Sequence, residues 1–314
     1  MLPRILFLLI CLLSISACQE QQPNSVAEVE KRQPAAFSLD GQPLFSASPS
    51  PKLLEKYEKH LANYEANPTA DNLIWYGRFI AYQGKYQEAI EVYTQGIAKF
   101  PEDARIYRHR GHRYISIRKF DEAIHDFQKA SELIAGMENE VEPDGMPNAQ
   151  NIPVSTLHGN IYYHLGLAYY LKHDFPNALV AYRKCLATSN NADNVVSATH
   201  WLYMILRRMD QTEMALKVLD QIEKEMPVIE NQSYHQATLL YKGMVKIATL
   251  LKAEGYEGAS NDALDYGIAN WYFYNNNRAK AKALLERILQ RKSWSSFGYI
   301  AAEKDYLTHF SNDE

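Results

Sequence analysis

Trp75 to Asp103 reads WYGRFIAYQGKYQEAIEVYTQGIAKFPED, and Arg108 to Ile134 reads RHRGHRYISIRKFDEAIHDFQKASELI. The two stretches agree at a fixed offset. Gly77 and Gly111 lie 34 residues apart, as do Ile80 and Tyr114, Tyr86 and Phe120, Ala89 and Ala123, and Tyr93 and Phe127. Tyr162 to Leu186, YYHLGLAYYLKHDFPNALVAYRKCL, is a third copy, with Gly166, Tyr169, Phe175, Ala178 and Tyr182 in place. His200 to Pro227 is a weaker fourth, with Leu206, Ala215, Leu219 and Pro227. Asn270 to Leu289, NWYFYNNNRAKAKALLERIL, is a last copy with Tyr272, Ala281 and Leu285. Self-similarity at such a period marks an array in which each unit buries its apolar face against the next.

The pattern resembles the tetratricopeptide repeat, a helix-turn-helix unit of about 34 residues. The resemblance implies an all-α fold, a right-handed superhelical solenoid spanning residues 51–312. Repeats fall at about 70–103, 104–135, 158–190, 195–227 and 262–295. Ala215 to Ala281 is 66 residues, close to two periods, so residues 228–261 hold either a degenerate repeat or one long helix. Ser50 to Ala66 reads as an N-terminal helix, and Trp294 to Phe310 as the capping helix that a solenoid needs. Small residues in the first helices (Gly77, Gly111, Gly166) let the paired helices approach. Ala89, Ala123, Ala178 and Ala215 do the same for the second helices. Pro101 and Pro227 end second helices, because proline disfavours a helical residue before it.

Ala123 to Ala178 is 55 residues, 21 more than one period, so residues 136–157 form an inserted loop. It carries prolines, turn residues and an acidic run. Loops this long are often functional. Met146 to Pro153, MPNAQNIP, has few charges and is expected to pack as an ordered loop near the concave face.

Residues 1–17 read as a secretory signal peptide: one positive charge, Arg4, then an apolar run, then small residues. The apolar run is shorter than the roughly 20 residues that span a bilayer as a helix. Ile15-Ser16-Ala17-Cys18 resembles the lipobox of bacterial lipoproteins, which implies cleavage before Cys18 and lipidation of its thiol. By analogy with the sorting of Gram-negative lipoproteins, Gln19 in place of aspartate after the cysteine implies the outer membrane, on the periplasmic face. Residues 18–50, rich in Gln, Pro, Ser and Ala, read as a flexible tether of roughly 30 Å reach.

The leader removes Cys11 and lipid occupies Cys18, so Cys185 alone is left and a mature monomer has no internal disulfide. A formal net charge of -4 argues against a general nucleic-acid binder.

In tetratricopeptide repeats the first helices line the concave face, and the 3.6-residue period then sorts their side chains. The partner-binding candidates are Arg78, Arg105, Arg108 and His112, then Tyr163, Leu167 and Tyr170, then His200, Met204 and Arg207, then Tyr266, Asn270, Phe273 and Tyr274. Ile74 and His109 are further candidates. The groove is therefore expected to be cationic in its N-terminal units and aromatic beyond. Arginines give bidentate bonds to carboxylates, and aromatics give rigid contact area. Arg110 falls where the family has an apolar residue and must reach solvent or pair with Asp126 or Glu122.

Other chemistry is poorly supported. His109 and His112 have a chelating spacing, but no third ligand lies near in sequence, and the arginines around them repel a cation. No metalloprotease, nucleophile-elbow or phosphate-loop motif is present. Cys185 sits where the repeat wants a small buried residue. The expectation is a non-enzymatic scaffold at the cell envelope, without a cofactor, whose groove takes an acidic or carboxylate-bearing segment of a partner protein. The alternative is a receptor for a small ligand or glycan along the aromatic part of the groove.

Overall fold

The computed structural model describes residues 33–251 and 261–311. The leader and Cys18 lie outside the described residues. A two-stranded antiparallel hairpin, β1 (Ala36–Phe37) and β2 (Pro43–Leu44), precedes an all-helical chain. Helix α1 (Pro51–Ala66) leads into helix pairs. These are α2 (Ala70–Tyr82) with α3 (Tyr86–Lys99), α4 (Ala104–Ser116) with α5 (Phe120–Leu133), and α6 (Leu157–Leu171) with α7 (Phe175–Ala187). Next come α8 (Ala192–Arg208) with the short α9 (Thr212–Val218), and α10 (Gln232–Tyr241) with α11 (Ile247–Leu250). Last are α12 (Asp262–Tyr274) with α13 (Arg278–Leu289), then α14 (Phe297–His309). Between Gln232 and Leu250 there are thus two helices and not one long one, with Gly243 at φ +77° between them.

Local chemistry sets the helix ends. Thr69, Asp103, Thr156, Asn191 and Ser296 each accept a backbone N–H of the first turn that follows, satisfying a donor that the helix leaves open. The turn inside a pair is always made the same way, by one residue in the left-handed region. Gly84, Arg118, His173, Asp210 and Asn276 have φ of +76°, 64°, 61°, 57° and 60°. Only the first of these is glycine. For the others the conformation costs about 1–2 kcal/mol and must be held by packing.

The repeated small residues act as expected. A Cβ on Gly77 would come within 2.5 Å of the Tyr93 ring, on Gly111 within 2.9 Å of Phe127, and on Gly166 within 2.6 Å of Tyr182. Each first helix thus gives up a side chain to seat an aromatic of its second helix. Ala89, Ala123, Ala178, Ala215 and Ala281 are fully buried at the matching position of the second helices.

One expectation needs correction and another extension. Part of the presumed tether is folded: residues 34–50 form a strap across the turn edge. The Leu39 amide donates to Glu303 Oε1 at 2.7 Å, Trp294 Nε1 donates to the Phe45 carbonyl at 3.0 Å, and Ser46 Oγ donates to the Gly84 carbonyl at 3.2 Å. The composition of this stretch gave no hint of order, because its partners lie up to 264 residues away. Secondly, α14 does more than cap. It packs on α12 and α13 but also reaches α6 across the inner face.

The insert is ordered. In the segment expected to pack, Met146 and Ile152 are exposed, but Asn148 donates to Glu230 Oε1 at 2.5 Å. The acidic part docks as well. Val141 bridges Thr156, the Glu142 amide donates to the Ser155 carbonyl, and the Leu157 amide donates to the Glu140 carbonyl, both at 2.9 Å.

Candidate binding site

The arginine-rich helix α4 distributes its charges in four ways. Arg105 turns to the rim, where it pairs with Asp103 and Asp71. Arg110 forms a bidentate pair with the buried Asp126, both bonds 2.7 Å, which resolves the charge at an apolar repeat position. Arg113 stacks over Tyr86. Arg108 turns inward, with its side chain 11% exposed, and its Nη2 lies 3.0 Å from the carboxylate of Glu142 in the insert. Asn160 of α6 donates to the same carboxylate. Arg78, from α2, stacks on Trp75 and donates from Nη1 to the Pro143 carbonyl at 2.8 Å. The insert is therefore seated on the cationic end of the concave face.

Most of the expected aromatic groove is not a surface. Leu167, Tyr170, His200, Met204, Tyr266 and Asn270 are all buried, as is Ile74. Two elements cover them: α14 lays Asp305 over Tyr266, and Tyr234 and Tyr241 of α10 pack on His200. The Tyr266 hydroxyl donates to Asp305 Oδ2 at 2.8 Å and lies 2.6 Å from the Tyr170 hydroxyl, to which Asn270 also donates. Arg208 and His173 complete the network around Asp305. Arg207, Phe273 and Tyr274 sit at the far edge, half-buried, with the Arg207 guanidinium 4.4 Å from the Tyr274 ring centre. They do not join Arg108. Solenoid periodicity does not show that a distant helix covers such positions.

What stays open is a cavity of about 280 Å³, lined among others by Arg108, His112, Tyr163, Asn194, Tyr234 and Phe297. Of the expected residues it gathers Arg108, His112 and Tyr163. Asn160, His164, Asn194, Ser197, Asn231, Tyr234 and Phe297 were not foreseen as lining it. His164 and Tyr163 are on α6, beside the repeat's glycine. Phe297 is on the capping helix, for which the repeat pattern makes no assignment.

The cavity is rich in donors. Arg108 Nε is buried without a hydrogen-bond partner. Trp201 Nε1 donates to the Tyr163 hydroxyl at 2.8 Å, and the Tyr163 and Tyr234 hydroxyls are 2.8 Å apart. Two phenolic hydrogens share one mutual bond, so one has no protein acceptor among the described residues. His164 Nδ1 lies 2.6 Å from the Asn160 carbonyl, which fixes its proton there. Burial, with Arg108 nearby, pushes His164 down to about 3, and burial likewise holds His112 well below the ordinary histidine range. Both rings are neutral at pH 7. Burial also lowers the Arg108 pKa, opposed by the charge of Glu142. The lining thus carries the Arg108 guanidinium and, at its exposed side, the Glu230 carboxylate, among neutral polar groups and the rings of Tyr163 and Phe297.

His109 is buried against Tyr93 with Glu142 4.0 Å away and makes no metal set with His112. His173, Asp305 and His309 approach one another closely, but Arg208 occupies the carboxylate and lies 3.5 Å from His309 Nε2. That cluster reads as an ion-pair network. Cys185 is buried, and burial raises its thiol to about 12.

Two protein-family models, both described as tetratricopeptide repeat, match residues 81–136 and 262–291. The chain carries tetratricopeptide repeats. Together with the helix pairs, this makes the fold an all-α tetratricopeptide-repeat solenoid. Solved structures with a similar fold include YrrB, a repeat protein with an unusual peptide-binding site. It is 17% identical, over 78% of this chain and 96% of that chain, with a TM-score of 0.43. A tetratricopeptide repeat protein from Parabacteroides merdae ATCC 43184 is 15% identical, over 80% and 92%, with a TM-score of 0.46. BtubC from P. vanneervenii is 12% identical, over 84% and 92%, with a TM-score of 0.42. No curated protein sequence matches significantly. Among the described residues, no helix is long and apolar enough to cross a membrane.

Proposed function

We propose that this protein is a non-enzymatic interaction scaffold whose concave cavity receives a carboxylate-bearing segment of a partner protein. One observation carries the reading: Arg108, buried in the cavity wall, already holds a carboxylate, that of Glu142, at 3.0 Å. A guanidinium in low dielectric binds a carboxylate more strongly than a surface cation does. The cavity is too small for a whole helix. It suits one terminal residue, with Phe297 and Tyr234 as apolar walls. We further propose that Cys18 is lipidated, so that the scaffold sits at the cell envelope on the periplasmic face of the outer membrane. The apolar leader and the lipobox-like Ile15–Cys18 support this. Metabolic labelling with a lipid precursor tests it, with Cys18→Ser expected to lose the label.

Affinity purification from solubilised membranes tests the scaffold. Arg108→Met should lose the partner, and Arg105→Ala should keep it, because Arg105 lies outside the cavity. A folded Arg108→Met protein that recovers the same partner would sink the reading. The cavity itself favours a second reading: at about 280 Å³, with ring faces and amides, it also fits a small acid or a sugar ring. A thermal shift with oligosaccharides and no stable protein partner would favour that receptor.

A further inference from the structure

The insert raises a question that the carboxylate site does not answer by itself. Arg108 is the charged donor of the cavity, and its Nη2 is engaged by the chain's own Glu142. We propose that Glu142 is a resident stand-in for the ligand carboxylate, and that the 136–157 insert is a displaceable gate over the binding site. The proposal rests on the reading of the cavity as a carboxylate site and adds how it is regulated.

Three features carry it. First, the insert is held to the concave face mainly by polar contacts. They include Glu142 to Arg108 and Asn160, the Pro143 carbonyl to Arg78, Asn148 to Glu230, and the short bridge from Val141 to Thr156. Met137, Val141, Met146 and Ile152 are exposed; the buried apolar anchor is Val154, on the returning limb, whose carbonyl accepts from Asn191. A loop held this way opens at low cost compared with a core helix. Secondly, the returning limb of the insert, Ser155 and Thr156, is itself wall of the cavity, and the Glu142 amide is bonded to the Ser155 carbonyl. Releasing Glu142 therefore loosens the cavity wall. Thirdly, an empty state is costly. Arg108 is buried, its Nε is already unpartnered, and without a carboxylate its charge would be uncompensated. A built-in acid keeps the unliganded protein folded, and an incoming acid can exchange with it with little net change in charge pairing.

The exchange sets a cost on binding. A ligand that competes with an internal acid binds more weakly by the fraction of molecules in which the gate is open. Removing the internal charge while keeping the side-chain shape should therefore tighten binding.

The test uses the mature chain, with N-acetyl-phenylalanine as probe and its amide as control, and the variants Glu142→Gln and Asn160→Ala. Hydrogen exchange is read first and needs no ligand. The proposal expects the amides of residues 140–145 to exchange on the order of tenfold faster in Glu142→Gln. A smaller increase is expected in Asn160→Ala, where no charge is lost, with α6 protection retained in both. Calorimetry then expects the acid to bind Glu142→Gln about tenfold more tightly than wild type, and the amide to bind neither. Unchanged exchange at 140–145 would overturn the gate. Equal binding of the acid to wild type and Glu142→Gln would also overturn it, while leaving the carboxylate site standing. Faster exchange with no binding of the acid to any of the three proteins would take down the site and the gate together.

Discussion

Arg118 and Glu303 are 185 residues apart in sequence and form a buried ion pair of 2.9 Å. Arg118 stands in the left-handed turn between α4 and α5, and Glu303 on α14 also accepts the Leu39 amide. One carboxylate thus joins the second repeat, the last helix and the N-terminal strap. His173, in the equivalent turn of the next repeat, pairs with Asp305, two residues further along α14. The last helix is keyed to successive turns of the array, and this keying buries the aromatic half of the concave face.

Breaking that key should be costly. Arg118→Ala leaves Glu303 without its counter-charge in a buried site, and the expected loss is about 3–5 kcal/mol. Urea unfolding followed by circular dichroism measures it. A loss below about 1 kcal/mol would place the pair in the weak class typical of surface ion pairs.

The glycine of each first helix makes a sharper packing prediction. Gly166→Ala would drive a Cβ to 2.6 Å from the Tyr182 ring, in a core where Tyr182 is fully buried. Overpacking of this kind costs about 1–3 kcal/mol. Gly111→Ala, with 2.9 Å to Phe127, should cost less. Unfolding midpoints that rank the two in the opposite order would contradict the packing account.

Arg110 and Asp126 should be strongly coupled. Asp126 is 1% exposed, so Arg110→Ala alone strands a buried carboxylate. The single substitution is expected to cost about 3 kcal/mol or more. The double variant with Asp126→Ala should recover part of that loss. A double-mutant cycle on unfolding free energies measures the coupling, and additive losses would show that the pair contributes nothing of its own.

Acid should destabilise the fold through its buried histidines. Burial pushes both His164 and His200 to about 3, against roughly 6.5 in the unfolded chain. The unfolded chain therefore takes up protons that the native protein refuses. Stability is intact above pH 6.5 and falls as the pH drops from there towards 3. By pH 5 the loss is up to about 2 kcal/mol for each of the two. Unfolding at pH 7.5 and pH 5 tests this, with a shallower slope expected for His164→Gln. A flat profile would mean that these rings protonate in place.

The repeat architecture was legible because each unit repeats the same close contact, so Gly77, Gly111 and Gly166 stand in phase with Tyr93, Phe127 and Tyr182. The expectation that Arg108, His112 and Tyr163 share the cavity side came from the resemblance, which puts first helices on the concave face, together with the helical period. The cover did not. Tyr170, Tyr266 and Asn270 look like groove residues until Asp305 arrives from α14, and no local pattern in Phe297 to His309 announces that contact. The strap hid for the same reason: the Leu39 amide donates to Glu303 and the Phe45 carbonyl accepts from Trp294, both near the far end of the chain. The acidic run of the insert was visible, but its docking partner depended on where the loop returned.

The direct test of the central claim is the side-chain Nε–H resonance of Arg108, followed by nitrogen-edited NMR while N-acetyl-phenylalanine is added. The account predicts a saturable shift with the acid and none with its amide, as an external carboxylate replaces Glu142 on the guanidinium. A resonance that stays in place with both compounds would contradict it.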